Sequence, residues 1–71
     1  MSEYKIKIGE IRKISIEGDF RTFRGRITDK KIDGYAVHYR VEPLDDIDLS
    51  LHMEDGELWV NDFEIGEIVE E

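Results

Sequence analysis

Apolar side chains recur at every second position along most of the chain, the period of a half-buried β-strand. Tyr4, Ile6 and Ile8 alternate with Lys5 and Lys7, and Ile14 and Ile16 keep that parity beyond Gly9-Glu10. Ile11 breaks it, which predicts a bulge or bend close to Gly9. Glu17-Gly18-Asp19 reads as a turn. The next strand sets Phe23, Gly25 and Ile27 on one face and Thr22, Arg24, Arg26 and Thr28 on the other. Residues 29–34 read as a turn region closing on Asp33-Gly34, a strong hairpin dipeptide.

The clearest strand follows, with Tyr35, Val37, Tyr39 and Val41 facing the core and Ala36, His38 and Arg40 facing away. Pro43 ends it, because proline cannot donate to a ladder. Ile47, Leu49, Leu51 and Met53 then alternate with Asp48, Ser50, His52 and Glu54 and predict a further strand. Asp55-Gly56 is a second hairpin turn, and Leu58-Trp59-Val60 a short strand with Trp59 alone on its face. Asn61-Asp62 reads as a tight turn or one turn of 3₁₀ helix. Phe63, Ile65, Ile68 and Val69 form a last strand containing Gly66, and Glu70-Glu71 a frayed end.

No window sustains a 3.6-residue period, and there is no internal repeat or low-complexity tract. Five to six strands spaced by about 8–12 residues and joined by tight turns define an all-β domain, a small antiparallel barrel or sandwich. The stretch from Glu42 to Asp46 is too short for the helix of an OB-fold, so an SH3-like barrel fits the spacing better.

Composition narrows the class. A chain of 71 residues holds one domain, and folding buries roughly 62% of the surface that the unfolded chain exposes. That is marginal for a lone core. The absence of cysteine removes disulfides, thiolate zinc sites and cysteine nucleophiles, which leaves packing or subunit association as the stabilising device. Leu, Ile, Val and Phe make up 21 residues. This is well above the roughly one-fifth share at which high charge predicts disorder, so the chain reads as folded. No apolar run approaches the roughly 18 residues of a membrane span, and the N-terminus lacks a signal peptide's layout. A soluble cytoplasmic protein without membrane contact is expected. One Asn and no Gln, beside abundant Ile, Glu, Lys and Arg, lean toward thermophile usage.

Charge is segregated along the chain. The first 40 residues carry all ten Lys and Arg against six acids, whereas residues 41–71 carry twelve acids and neither Lys nor Arg. The net charge is -8. Either the halves lie side by side and opposite charges pair across strands, or a basic and an acidic face stay separate and recruit different partners. Under both readings some acidic surface must meet solvent.

Candidate chemistry gathers on the outer face of the central hairpin, where alternation places Arg24, Arg26, His38 and Arg40. Three guanidinium groups and an imidazole could clamp phosphates, with Tyr4, Phe20 or Trp59 as a stacking surface, though the overall charge opposes a polyanion. Trp59 reads either as a plug for one end of a barrel or as an exposed anchor for a partner. His38 and His52 face outward from different strands, and a metal would need them adjacent with a third ligand such as Asp48 or Glu54. Ser15 and Ser50 lack a nucleophile elbow, and the glycines form no phosphate loop. The expectation is no enzyme, no cofactor and no metal. The chain reads as a protein-interaction module whose partner is another protein or a second copy in a homodimer. The alternative is a nucleic-acid-binding module using the basic outer face.

Overall fold

Alternation along the chain resolves into five strands: β1 (Ile11–Ser15), β2 (Thr22–Asp33), β3 (Ala36–Pro43), β4 (Leu58–Asn61) and β5 (Ile65–Ile68). The computed structural model describes residues 6–69, so Tyr4 and Glu70-Glu71 lie outside the described residues. The strands form one antiparallel sheet in the order β4-β3-β2-β1-β5, which is not closed. Among the described residues the only helical turns are two 3₁₀ turns, Ser50–His52 and Asp62–Glu64.

β2 is the centre of the sheet, the third of five strands in the order. Its first part pairs with β1, matching Ile14 to Phe23 and Arg12 to Gly25, and from Gly25 onward it pairs with β3. Gly25 is shared by both ladders and is buried. A Cβ there would overlap Val41 Cγ1 and stand 3.2 Å from Ile14 Cγ1. The missing side chain is what lets the core residues of β1 and β3 close over this point. Ile14, Phe23, Ile27, Tyr39, Val41, Leu58 and Val60 form the core with Leu49 from the β3–β4 connection. Ile6, Ile16, Val37, Ile47, Met53 and Ile65 pack around its rim.

Residues 29–33 are strand rather than turn. A bulge between Ile27 and Asp29 shifts the parity of β2, so that Ile32 pairs with Val37 and Asp29 with Arg40. The two-residue loop is then Gly34-Tyr35, not Asp33-Gly34. Gly34 has φ +65° and Tyr35 does not have positive φ, the pattern of a type II′ turn with glycine first. Tyr35, expected in the core, occupies this loop and is fully exposed.

Residues 47–53 also depart from the expected strand. The Asp48 carboxylate accepts the Ser50 backbone N–H at 3.1 Å and its hydroxyl at 2.8 Å, which curls the chain into the 3₁₀ turn. Leu49 enters the core while Leu51 projects into solvent. Residues 6–10 cross the end of the β1–β2 ladder, where Gly9 N–H donates to the Ile27 carbonyl and Ile27 N–H to the Glu10 carbonyl. They bend at Ile8-Gly9 instead of extending as a strand. Phe63 lies in the second 3₁₀ turn, exposed, and not in the last strand.

Two local signals are realised as read. Asp55 (φ +54°) and Gly56 (φ +77°) make a type I′ turn, and Glu54 and Glu57 exchange both backbone hydrogen bonds at 2.9 Å. Asp62–Glu64 is a 3₁₀ turn in which the buried Glu64 carboxylate accepts the Asn61 N–H at 2.8 Å. Its second oxygen accepts the Glu17 N–H at 2.8 Å, joining the β4–β5 crossing to the β1–β2 turn.

Gly25→Ala is expected to lower stability by about 1–3 kcal/mol through overpacking. Tyr35→Ala, at a fully exposed loop position, is expected to stay within about 0.5 kcal/mol of the parent. Urea unfolding followed by tryptophan fluorescence measures both.

Candidate functional site

The bulge in β2 falls within the expected basic face. On one side of it, Arg24 lies opposite Lys13 on β1, and Arg26 lies opposite Ile11 and Glu42. Arg24 grips Asp45: its backbone N–H donates at 2.8 Å, Nε at 3.0 Å and Nη2 at 2.7 Å. These bonds, led by those of the guanidinium, hold the Asp45 carboxyl below its ordinary value. Arg26 Nη1 reaches the Gly9 carbonyl at 3.4 Å.

On the other side of the bulge, Arg40 pairs with Trp59, and His38 lies between Lys31 and Asn61. Lys31 Nζ stands 4.7 Å from the centroid of the Trp59 ring, a cation–π contact. Trp59 Nε1 donates to Glu57 at 2.9 Å, and Arg40 Nη1 is 3.9 Å from the same carboxylate. The register thus places Arg40 beside Trp59 and His38 beside Lys31, with Arg26 opposite Glu42, two residues from Arg40 along β3. Trp59 lies half-buried on the outer face of an open sheet. Lys31 belongs to this cluster and was hidden by reading residues 29–34 as a turn. The change from odd parity at Ile27 to even parity at Ile32 was the signal for the bulge that aims it outward.

The sequence segregation of charge becomes pairing in space. Arg24–Asp45, Arg40–Glu57 and the Arg26–Glu42 juxtaposition each join a cation of the first 40 residues to an acid of the remainder. Arg12 makes a different contact. It shares the parity of Ile14, is buried, and donates to the Gly66 carbonyl at 2.8 Å and to Glu10.

A second constellation lies where three connections meet. Asp19 Oδ1 accepts the Arg21 backbone N–H and Nε, each at 3.0 Å, while Oδ2 accepts Arg21 Nη2 at 2.8 Å. His52 Nε2 stands 2.9 Å from the same Oδ2. The Arg21 guanidinium, then its N–H, then His52 hold the Asp19 carboxyl well below its ordinary range. Asp48 is lowered too, chiefly by the Ser50 N–H. Around this knot stand Phe20 (100% exposed), Leu51 (95%) and Phe63 (69%). Phe20 therefore supplies no stacking surface to the sheet cluster, and Tyr4 lies outside the described residues.

His38 and His52 do not share a site: one faces outward from β3, the other binds Asp19. Among the described residues no group of three His, Cys, Asp or Glu could hold a metal ion. The Ser50 hydroxyl is given to Asp48. The chain matches no known family, and no curated protein or solved structure is similar to it.

The lowered carboxylates set a pH dependence. The unfolded chain takes up the Asp19 proton near pH 3.8, whereas the folded chain does so only at lower pH. Between those points the unfolded state binds more protons, so stability rises with pH. The contribution is complete above about pH 5 and is lost as the pH falls through and below 3.8. The urea midpoint should therefore decline from pH 5 to pH 3. Asp19→Asn should lower the midpoint at pH 7 and flatten that decline, read by unfolding curves at half-unit steps.

Proposed function

We propose that the chain is a non-catalytic protein-interaction module built on an open SH3-like barrel and working in the cytoplasm. The strand order supports the SH3-like reading. So do the long bulged β2 shared between two halves of the sheet and the 3₁₀ turn that carries the chain from β4 to β5. The observation that carries the functional reading is the full exposure of Phe20 and Leu51 beside a core formed without them. Folding gains nothing from those two side chains, and large apolar groups grouped on a surface mark contact sites. The groups with shifted pKa, Asp19, Arg21, Asp45, Asp48 and Glu10, have hydrogen-bonding partners within the chain that account for the shifts, which supports a structural rather than a catalytic role.

A net charge of -8 opposes association of two copies. Sedimentation at tens of micromolar in moderate salt should show an 8.4 kDa monomer. Affinity capture from native cytosol, run in parallel with a Phe20→Ser, Leu51→Ser variant, tests the reading. A protein retained by the parent and lost by an equally folded variant supports it, and capture of no specific protein by the parent counts against it.

Nucleic acid is the second reading, resting on the Lys31, His38, Arg40 and Trp59 cluster, which joins cations to a stacking ring. Glu57 holds Trp59 Nε1 and stands near Arg40, and Asp45 engages Arg24, so the protein reading ranks first. Fluorescence anisotropy with a labelled oligonucleotide at 50 and 200 mM salt should show no binding tighter than high micromolar. Low-micromolar, salt-sensitive binding abolished by Arg40→Glu would reverse the ranking.

A further inference from the structure

We propose that the end of the sheet formed by residues 17–21, 48–52 and Asp62–Glu64 is a docking surface, and that its occupant is a cationic segment of another protein carrying bulky apolar side chains; this rests on the interaction-module reading above.

The three segments are distant in sequence and fastened to one another. The His52–Asp19 contact ties the 3₁₀ turn Ser50–His52 to the β1–β2 connection, and the Glu64 carboxylate ties Asp62–Glu64 to Glu17 of that connection. The fastening follows a pattern. Phe20 sits between Asp19 and Arg21, which bond each other through side chain and backbone. Leu51 sits between Ser50, bonded to Asp48, and His52, bonded to Asp19. Phe63 immediately precedes Glu64, whose two oxygens are both engaged by backbone N–H groups. Polar neighbours on both sides fix the backbone at Phe20 and Leu51, and the following residue does so at Phe63, while the apolar side chain stays exposed. A surface ordered in advance loses less conformational entropy when a partner arrives.

Charge selects the occupant. The three segments hold five acids, Glu17, Asp19, Asp48, Asp62 and Glu64, against the single guanidinium of Arg21. Glu17, Asp48 and Asp62 are exposed. A second copy would set this acidic surface against itself, and anionic lipid or nucleic acid would be repelled by the same field. A Lys- or Arg-bearing segment with aliphatic or aromatic residues complements both the charge and the projecting side chains.

A random linear twelve-residue peptide library displayed on phage, panned against the full chain, supplies the probe. The enriched peptides should combine Lys or Arg with bulky apolar residues. One of them, synthesised and titrated into ¹⁵N-labelled protein, should shift the amide resonances of Gly18, Phe20, Leu51 and Phe63. Phe20→Ser and Leu51→Ser should each weaken its binding by about tenfold or more, as truncation of an interface anchor does. Glu17→Arg with Asp62→Arg should weaken it as well, without loss of fold. Tyr35→Ser, at the loop joining β2 to β3, should leave it unchanged. Enrichment of acidic or uncharged peptides overturns the assignment, as does failure to enrich any peptide. Shifts centred on Trp59 and β3 reject this surface while leaving the interaction-module reading intact. That reading itself falls only if the capture experiment also yields no specific protein.

Discussion

β1 and β3 both need the same side of β2 at Gly25, and the absence of a side chain there decides how the sheet is assembled. Ile14 and Val41 close over this position from opposite ladders, and any Cβ would stand between them. Two residues farther on, the bulge releases β2 from the parity that this packing imposes. The hairpin beyond it can then present Lys31, His38, Arg40 and Trp59 on one outer face while Tyr39, Val41, Leu58 and Val60 stay in the core.

Several charged side chains serve as local fasteners. Exposed ion pairs such as Arg24–Asp45 contribute little each, of order 0–1 kcal/mol. Carboxylates that accept backbone N–H groups do something different. Asp19, Asp48 and Glu64 each hold a backbone N–H in a connection or at a strand end, and Asp45 holds that of Arg24, just before β2 begins to pair with β3. They satisfy groups that lie outside the ladder and fix the path of the chain there. The acid-rich second half thus supplies acceptors that a small sheet with long connections requires.

What could be read from the sequence was what short-range chemistry decides. Asp55-Gly56 specifies a type I′ turn by itself, and the alternation of Leu58, Trp59 and Val60 fixes which of them are buried. The pairing of Arg40 with Trp59 did not follow from alternation, because it depends on the β3–β4 register. The misplacement of Tyr35 and the hidden Lys31 share one cause, an extra residue in β2 that carries the strand to Asp33 and moves the loop to Gly34-Tyr35. Alternation over residues 47–53 marked burial correctly at Leu49 but not secondary structure, because Asp48 offered Ser50 a nearer acceptor than any strand. Arg12 carried its own signal, a cation on the parity of Ile14. The Asp19–His52 and Glu17–Glu64 ties carried none, since they span 33 and 47 residues and arise only from the tertiary arrangement.

Those two ties separate what holds the connections from what they display. Every bond that fixes the backbone around Phe20 and Leu51 is made by a neighbour, and neither of their own side chains contributes to the core. The framework and the displayed residues are thus independent variables. The chemical character of this surface can be rewritten one position at a time without re-solving the fold, which makes the 71-residue sheet a frame for exchangeable contact residues.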